Sequence, residues 1–571
     1  MKRLDAFDLV VVGGGSAGFA AAIRGAELGA RVALVEGGTL GGTCVNIGCV
    51  PSKTLIRAAG AQHGRVHHGF RGIPVTDGRP DWPTVRAEKD ALVSGLRQSK
   101  YWDVLGAYPS ITLFEERATF VTARQVRLAN GRALATGKAV VTTGASPWAP
   151  PIPGLADAGY LNNASAMALE RLPESLIVIG AGSVGLELAQ MFARLGVRVT
   201  VLEAQPRVMP AEAADIGDAL GDYLRSESID VHTDVHIDAV SRGEGSDRYA
   251  VKFRAAGEAR TGRADQLLVA TGRRANTARF GLDGIGVTLG QKGEIVINDL
   301  LQTTNPEVYA AGDVIGDPMF VYVAAYGGAL AAENALSGNA HRYDVSALPK
   351  VTFTDPAVAS VGVTEDEARA RGIDPLAAKL SLEQVPRALT AHDTRGFIKL
   401  VADAASKKII GAHILAAERR AGRRRAAAQA SVQRRCRKGA PGDVCQSYLW
   451  GMLAGRQADA ATRARVDRPS ETPDLRGLGA EKRRAGAGRR PRDAPRYRSA
   501  GGAILGCPQG GDERLRPHVL ARGPVRRHLH ALRTAGSLGR RGAAAARLPR
   551  RRARNRVQSS VSTIRRGATR G

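Results

Sequence analysis

Apolar positions near the start of the chain fall into two kinds of run. Residues 7–12 (FDLVVV) are almost unbroken apolar, the pattern of a strand buried on both faces. GGGSAG follows, then an Ala-rich stretch with helical spacing to Gly29, then a second apolar run, VALVE, that ends at Glu36. The order predicted is strand, glycine turn, helix, strand. The same grammar returns over 176–203 as LIVIG, AGSVG, LELAQMFARLG and VRVTVLE. Two βαβ units make the fold class α/β.

Between the units, 85–105 predicts an amphipathic helix. ITLFEERATF and QVRLAN predict short strands, and a longer strand ends at VVTTGASP. Residues 264–272 (ADQLLVATG) and 307–314 (EVYAAGDV) each predict a strand closed by a glycine turn, the second followed by a helix. From 347 to 418 the strand candidates are VTFTDPAVASVGV, GFIKLVAD and KIIGAHILA, an α+β domain distinct from the rest. The expected organisation is a dinucleotide-binding domain in two parts (1–149 and 273–346) around a second such domain (150–272). An interface domain (347–418), cut short, and a tail (419–571) follow.

Charge sharpens the last boundary. The chain carries a net +28, yet residues 419–571 hold 39 Lys+Arg and 9 Asp+Glu, which leaves 43 basic and 45 acidic residues in 1–418. The whole basic excess therefore belongs to the tail, which has neither a helical nor a strand period and is rich in Ala, Gly, Pro and Arg. Such a composition buries too little apolar surface to offset its ordering entropy, so the tail is expected to be disordered. Its expected partners are polyanions held non-specifically. GC-rich coding misread in a shifted frame gives the same composition, which makes a frameshift the expected origin. No apolar stretch has the length of a membrane span or a secretory signal, so a cytoplasmic location is expected.

Three segments carry candidate chemistry. In Gly13-Gly14-Gly15-Ser16-Ala17-Gly18, Gly13 allows the tight turn, Gly15 lets backbone approach a pyrophosphate and Gly18 lets helix pack on strand. Free N–H groups at the helix start then face the phosphates, and Glu36 is placed to accept from ribose hydroxyls. Gly180, Gly182, Gly185 and Glu203 repeat the arrangement. Glu203 favours NADH, because it repels a 2′-phosphate; Arg207 could instead pair with that phosphate or be a solvated surface charge, so both nicotinamides stay open.

The third segment is GGTCVNIGCVPSK (41–53). Cys44 and Cys49 are spaced to close a small disulfide ring at a helix start, where the helix dipole and Lys53 favour a thiolate. A zinc site needs two further ligands, and no second Cys/His pair stands at ligand spacing. The pair is read as redox-active.

These segments, with Ala311-Gly312-Asp313, resemble the pyridine nucleotide–disulfide oxidoreductases, a family that includes dihydrolipoamide dehydrogenase, glutathione reductase and mercuric reductase. The resemblance runs from residue 6 to about 418. It implies FAD in the first Rossmann-like domain and NADPH, with NADH possible, in the second. Thr43, Gly144, Gly272 and Gly312 join the cofactor-binding candidates, with Asp313 bonding the FAD ribityl chain. It further implies that Lys53 pairs with Glu187, that Cys49 is the flavin-proximal thiol and that Cys44 is the outer thiol.

YLNNASAMALERLPESLIVIGAGSVGLELAQMFARLG (160–196), MFVYVAA (319–325) and VPRALTAHDTRGFIKLVADAASKKIIGAHILA (385–416) look like the mercuric reductase branch. That likeness implies a homodimer that reduces Hg(II) to Hg(0), with Cys44 and Cys49 as soft ligands to the metal substrate. Electrons are drawn from NADPH through FAD and the cysteine pair. Tyr101 matches a tyrosine lining the metal site in that branch, the alternative being ordinary packing of its amphipathic helix. His392 and His413 are expected to be surface or core residues. The alternatives are dihydrolipoamide dehydrogenase, another disulfide reductase of this fold, or an impaired product. The branch ends in a vicinal Cys-Cys pair, and no Cys-Cys occurs in this sequence.

Overall fold

The computed structural model describes residues 5–76 and 78–417; the tail expected to be disordered or frame-shifted, with Cys436, Cys445 and Cys507, lies outside the described residues. Strand β1 (Asp5–Val12), helix α1 (Ser16–Glu27) and β2 (Val32–Val35) form the first βαβ unit. β2 is buried along its whole length, and Leu9, Val10 and Val11 of β1 are fully enclosed, as strands of a parallel sheet covered on both faces must be. Two helices follow, α2 (Gly42–Ile47) and α3 (Cys49–Val66), and Cys49 is the first residue of the second.

The helix predicted over 85–105 is α4 (Trp82–Arg97), opened by an Asp81 side chain that accepts from the Thr84 amide. It runs on into a π-helical turn, Gln98–Trp102. The run 111–120 divides at Glu115–Arg117 into β3 (Ile111–Phe114) and β4 (Ala118–Thr122), followed by β5 (Gln125–Leu128) and β6 (Ala133–Val141).

The second unit is β7 (Ser175–Ile179), α5 (Ser183–Arg194) and β8 (Arg198–Leu202). Helix α6 (Ala214–Ser226), β9 (Asp230–His232) and β10 (Gln266–Val269) complete a parallel sheet in the order β9-β8-β7-β10. The chain then returns to the first sheet through β11 (Val308–Ala310), which pairs parallel with the second half of β6, giving seven strands, of which β3-β2-β1-β6-β11 run parallel in that order with β3 at the edge. Helix α7 (Val321–Ser337) packs across α1 so closely that a Cβ on Gly328 would meet the Ala17 carbonyl.

The last sheet is antiparallel: β12 (Lys350–Thr352), β13 (Ala357–Gly362), β14 (Pro375–Ser381), β15 (Gly396–Asp403) and β16 (Ile409–Ala416), ordered β12-β13-β16-β15-β14. It is held to α5 along one helical face. Ser183 Oγ lies 2.7 Å from Thr352 Oγ1, and Glu187 accepts from the Phe353 amide at 2.8 Å. Gln190 exchanges hydrogen bonds of 2.8 and 2.9 Å with the Asp355 backbone, and Arg194 meets the Asp355 carboxylate at 3.0 Å. Positions 183, 187, 190 and 194 recur at helical spacing, so one stripe of α5 presents all four. Among the described residues no helix is long and apolar enough to cross a membrane.

Candidate active site

The two βαβ units open onto one connected cleft of about 2550 Å³. Both glycine turns line it, and both are built in the same way. Gly13 (φ +110°) turns under the Thr142 carbonyl, where any Cβ would collide, and a Cβ at Gly18 would collide with the Gly13 carbonyl oxygen. Gly180 (φ +103°) and Gly185 stand in the same relation. By contrast, the middle glycines, Gly15 and Gly182, leave room: nothing lies within 4 Å of a Cβ at Gly182, and the nearest atom at Gly15 is 3.6 Å away. The outer glycines therefore serve the turn and the packing, and the middle ones keep the cleft wall open. Helices α1 and α5 both start without a side-chain cap and without an acid in the first turn, so their free N–H groups and positive dipole ends suit an anion.

Thr43, Gly144, Gly272, Gly312 and Asp313 also line the cleft, as do Ser16, Glu36 and Glu203. Burial raises the Asp313 carboxyl above the usual range, opposed by Arg273, whose Nε lies 3.8 Å from Asp313 Oδ2. Burial likewise lowers the Arg273 guanidinium, which also reaches Thr43 Oγ1 at 3.4 Å and the Ala145 carbonyl. Sequence reasoning passed over Arg273. Its one signal was a cation directly after the glycine that closes β10.

Cys44 in α2 and Cys49 at the start of α3 are free, half-buried thiols on the cleft wall. Hydrogen bonding from Cys44 lowers the Cys49 thiol to about 7, with Lys53 adding to the shift and burial opposing it. Cys44 moves the other way, pushed up by that same hydrogen bond and by burial. In the dithiol, Cys44 thus keeps its proton and donates it to a Cys49 thiolate at a helix N-terminus. Since the lowered thiol is ionised above about pH 7, alkylation of Cys49 in the reduced protein is expected to persist down to that pH and to fall below it, whereas an ordinary thiol fades below about 8.5. Peptide mapping after iodoacetamide treatment across pH 5–10 reads this directly, and a midpoint near 8.5 would contradict it.

Lys53 Nζ lies 2.5 Å from Glu187 Oε2, and the Glu187 side chain is 6% exposed. The same ammonium stands 4.7 Å from the centroid of the Phe353 ring. Phe353 was read only as part of a strand. It lies just beyond β12, lines the cleft, and fixes both members of the pair: its amide binds Glu187 and its ring faces Lys53. Tyr101 sits on the π-helical turn, half-buried, with its ring 4.6 Å from that of Phe19. Burial raises its hydroxyl above the ordinary phenol range, a hydrogen bond with Ser16 opposes that shift, and the two cysteines add to it. The residue thus packs against the core and also stands near the cysteine pair.

Arg207 does not line the cleft; its Nε lies 3.4 Å from Asp218 Oδ1. His392 packs against the Phe70 ring at 4.6 Å, and His413 is buried with Nε2 at 3.0 Å from the Val363 carbonyl, neither of them on the cleft wall.

Residues 7–328 match the pyridine nucleotide-disulphide oxidoreductase family, and 348–439 match the dimerisation domain of that family. The chain belongs to the pyridine nucleotide-disulphide oxidoreductases. Among curated members, a mercuric reductase of Streptomyces lividans is 45% identical over 415 residues, covering 72% of this chain and 87% of that one. Mercuric reductases of Staphylococcus aureus (41%, with 72% and 74% covered) and Shigella flexneri (45%, with 72% and 73% covered) stand beside it. Among solved structures, the HOCl-induced flavoprotein disulfide reductase RclA from Escherichia coli, in its Cu(II) complex, is 30% identical with a TM-score of 0.63, over 72% of this chain and 90% of that one.

Pyridine nucleotide-disulphide oxidoreductases use a flavin and a nicotinamide cofactor. The residues of this cleft fit both groups. Gly15 and Gly42 face each other as bare backbone, so that a Cβ on Gly42 would lie 2.6 Å from Gly15 Cα, and the uncapped start of α1 supplies N–H donors beside them.

Proposed function

We propose that the protein is a flavin-dependent mercuric reductase, carrying out NAD(P)H + Hg(II) → NAD(P)⁺ + H⁺ + Hg(0). The observation that carries this reading is the Cys44/Cys49 pair on the wall of the cleft shared by both glycine turns, with one thiol poised to ionise near neutral pH. FAD, when bound, carries electron pairs between the nicotinamide and the sulfur pair.

The family likeness, together with the cleft lining, supports the following roles. Gly13, Gly15, Gly18, Ser16 and the α1 start cradle the flavin pyrophosphate, with Glu36 on its ribose, and Thr43, Gly144, Gly312, Asp313 and Arg273 flank the rest of the molecule. Gly180, Gly182, Gly185, Glu203 and Gly272 border the nicotinamide dinucleotide. NADPH is the donor that the family likeness implies. Cys49 is the thiolate nearer the flavin, Cys44 the outer thiol that meets the substrate, and Lys53 with Glu187 holds a positive charge against them. Two soft sulfurs bind soft Hg(II) and exclude hard cations. Tyr101, behind the cleft wall and near the cysteine pair, is assigned to the metal by the family likeness alone. The dimerisation-domain match supports a homodimer, and a cytoplasmic location fits a chemistry that needs reduced thiols and NAD(P)H.

Anaerobic NAD(P)H oxidation followed in parallel with Hg(II), lipoamide and oxidised glutathione tests the substrate. Mercury-dependent oxidation that exceeds the other two by at least about tenfold is expected. Turnover on lipoamide or glutathione with none on mercury would replace the reading with a disulfide reductase.

A further inference from the structure

The two strand-ending acids hold their glycine turns through the same pair of hydrogen bonds. Glu36 Oε2 accepts from the Gly14 amide at 2.6 Å, and Glu203 Oε2 accepts from the Ala181 amide at 2.6 Å, each across 22 residues. Glu36 Oε1 accepts from Gly38 N at 2.6 Å, and Glu203 Oε1 accepts from Gln205 N at 2.9 Å, each across two residues. Both carboxylates stand one residue past the end of their strand, and both line the cleft. In the first unit the proposed ligand is FAD, whose adenosine ribose carries free hydroxyls. The second unit repeats that ribose-reading corner bond for bond.

The surroundings of Glu203 agree. A 2′-phosphate brings a charge of about −1.5 to −2 to the ribose and needs a cation there. The one arginine that follows β8 closely, Arg207, is turned to Asp218 and stays off the cleft wall. The end of β8 and the segments that follow β8 and β9 contribute Leu202, Glu203, Ala204, Val235, His236 and Ile237 to the cleft wall, and His236 already has Asp238 at 3.7 Å. A carboxylate is therefore fixed at the end of β8, where Arg207 stays off the cleft wall and His236 already faces an acid.

We infer that Glu203 makes this chain an NADH-preferring enzyme, in contrast to the donor implied by family likeness. The inference rests on the reading of the cleft as a nicotinamide-to-flavin site. Direct binding of NAD⁺ and NADP⁺ to the purified flavoprotein by calorimetry, without mercury, tests it separately from the reaction. NAD⁺ is expected to bind at least about tenfold more tightly, and kcat/KM to favour NADH by a similar ratio. Glu203→Gln removes the charge, and Ala204→Arg adds a cation while leaving Glu203 in place; each is expected to shift the binding ratio toward NADP⁺ by about tenfold. Equal or tighter NADP⁺ binding in the unmodified protein, or a ratio unmoved in both variants, would overturn it. Preference for NAD⁺ without mercury-dependent turnover would uphold the inference and remove the proposed reaction.

Discussion

Cys49→Ser is expected to lower mercury-dependent NAD(P)H oxidation by on the order of 10³-fold or more while FAD stays bound. The size follows from what the sulfur does. It is the group held as a thiolate at the start of α3, with the Cys44 thiol donating to it and the Lys53 charge near it. Serine keeps most of the volume but offers no thiolate at any pH and little affinity for a soft metal. The proposed flavin cradle is built from the first glycine turn, Thr43, Asp313 and Arg273, and the hydrogen bonds of Thr43 and Arg273 run to each other and to the Ala145 carbonyl, so the yellow chromophore should survive purification. Retention of more than a tenth of the activity would show that electrons reach mercury by another route.

Arg194→Met is expected to cost about 3 kcal/mol of stability, the second large effect. Arg194 is buried (7% exposed) between Glu227 at 2.6 Å and Asp355 at 3.0 Å, and it ties the end of α5 both to the end of α6 and to the loop after β12. Methionine fills much of the volume and leaves two acids short of a cation in a low-dielectric site. Arg395 still reaches Glu227 at 3.2 Å and Asp355 at 3.3 Å, which holds the loss toward the lower end of the range for a broken buried pair. The shift of the first urea unfolding transition measures it. A change within about 0.5 kcal/mol would mean that Arg395 alone neutralises both acids. Pairing the change with Glu227→Gln should recover part of the loss, since the two residues share one network.

The parallel cores were legible in the sequence because strands buried on both faces read as unbroken apolar runs, and because the glycine turns between strand and helix have a fixed spacing. The division of 111–120 was less so: Glu115 and Glu116 interrupt a run whose apolar period is otherwise continuous. Strand β14 escaped notice for a different reason. PLAAKLS is an edge strand, largely exposed, and its Ala and Lys residues show no alternation to betray it.

At the site, the glycines, the strand-ending acids and the cysteine pair were readable because each lies within a local motif. Lys53 and Glu187 stand 134 residues apart, so only family likeness could join them. Phe353 and Arg273 had no such likeness to bring them forward. Each acts by arriving from a distant element, Phe353 against Lys53 and Arg273 against Asp313, and no periodicity records that. Tyr101 stood in a helical pattern that gave no hint of the π-turn, which widens the backbone at the point where its ring meets Phe19.

The central claim is that the sulfur pair and the flavin exchange electrons, and an anaerobic reductive titration of the purified flavoprotein tests it most directly. Uptake of two electron pairs per chain, one for the flavin and one for the Cys44–Cys49 disulfide, is the predicted result, falling to one pair in Cys44→Ser. A single pair in the unmodified protein would contradict it, because the cysteines would then stand outside the electron path.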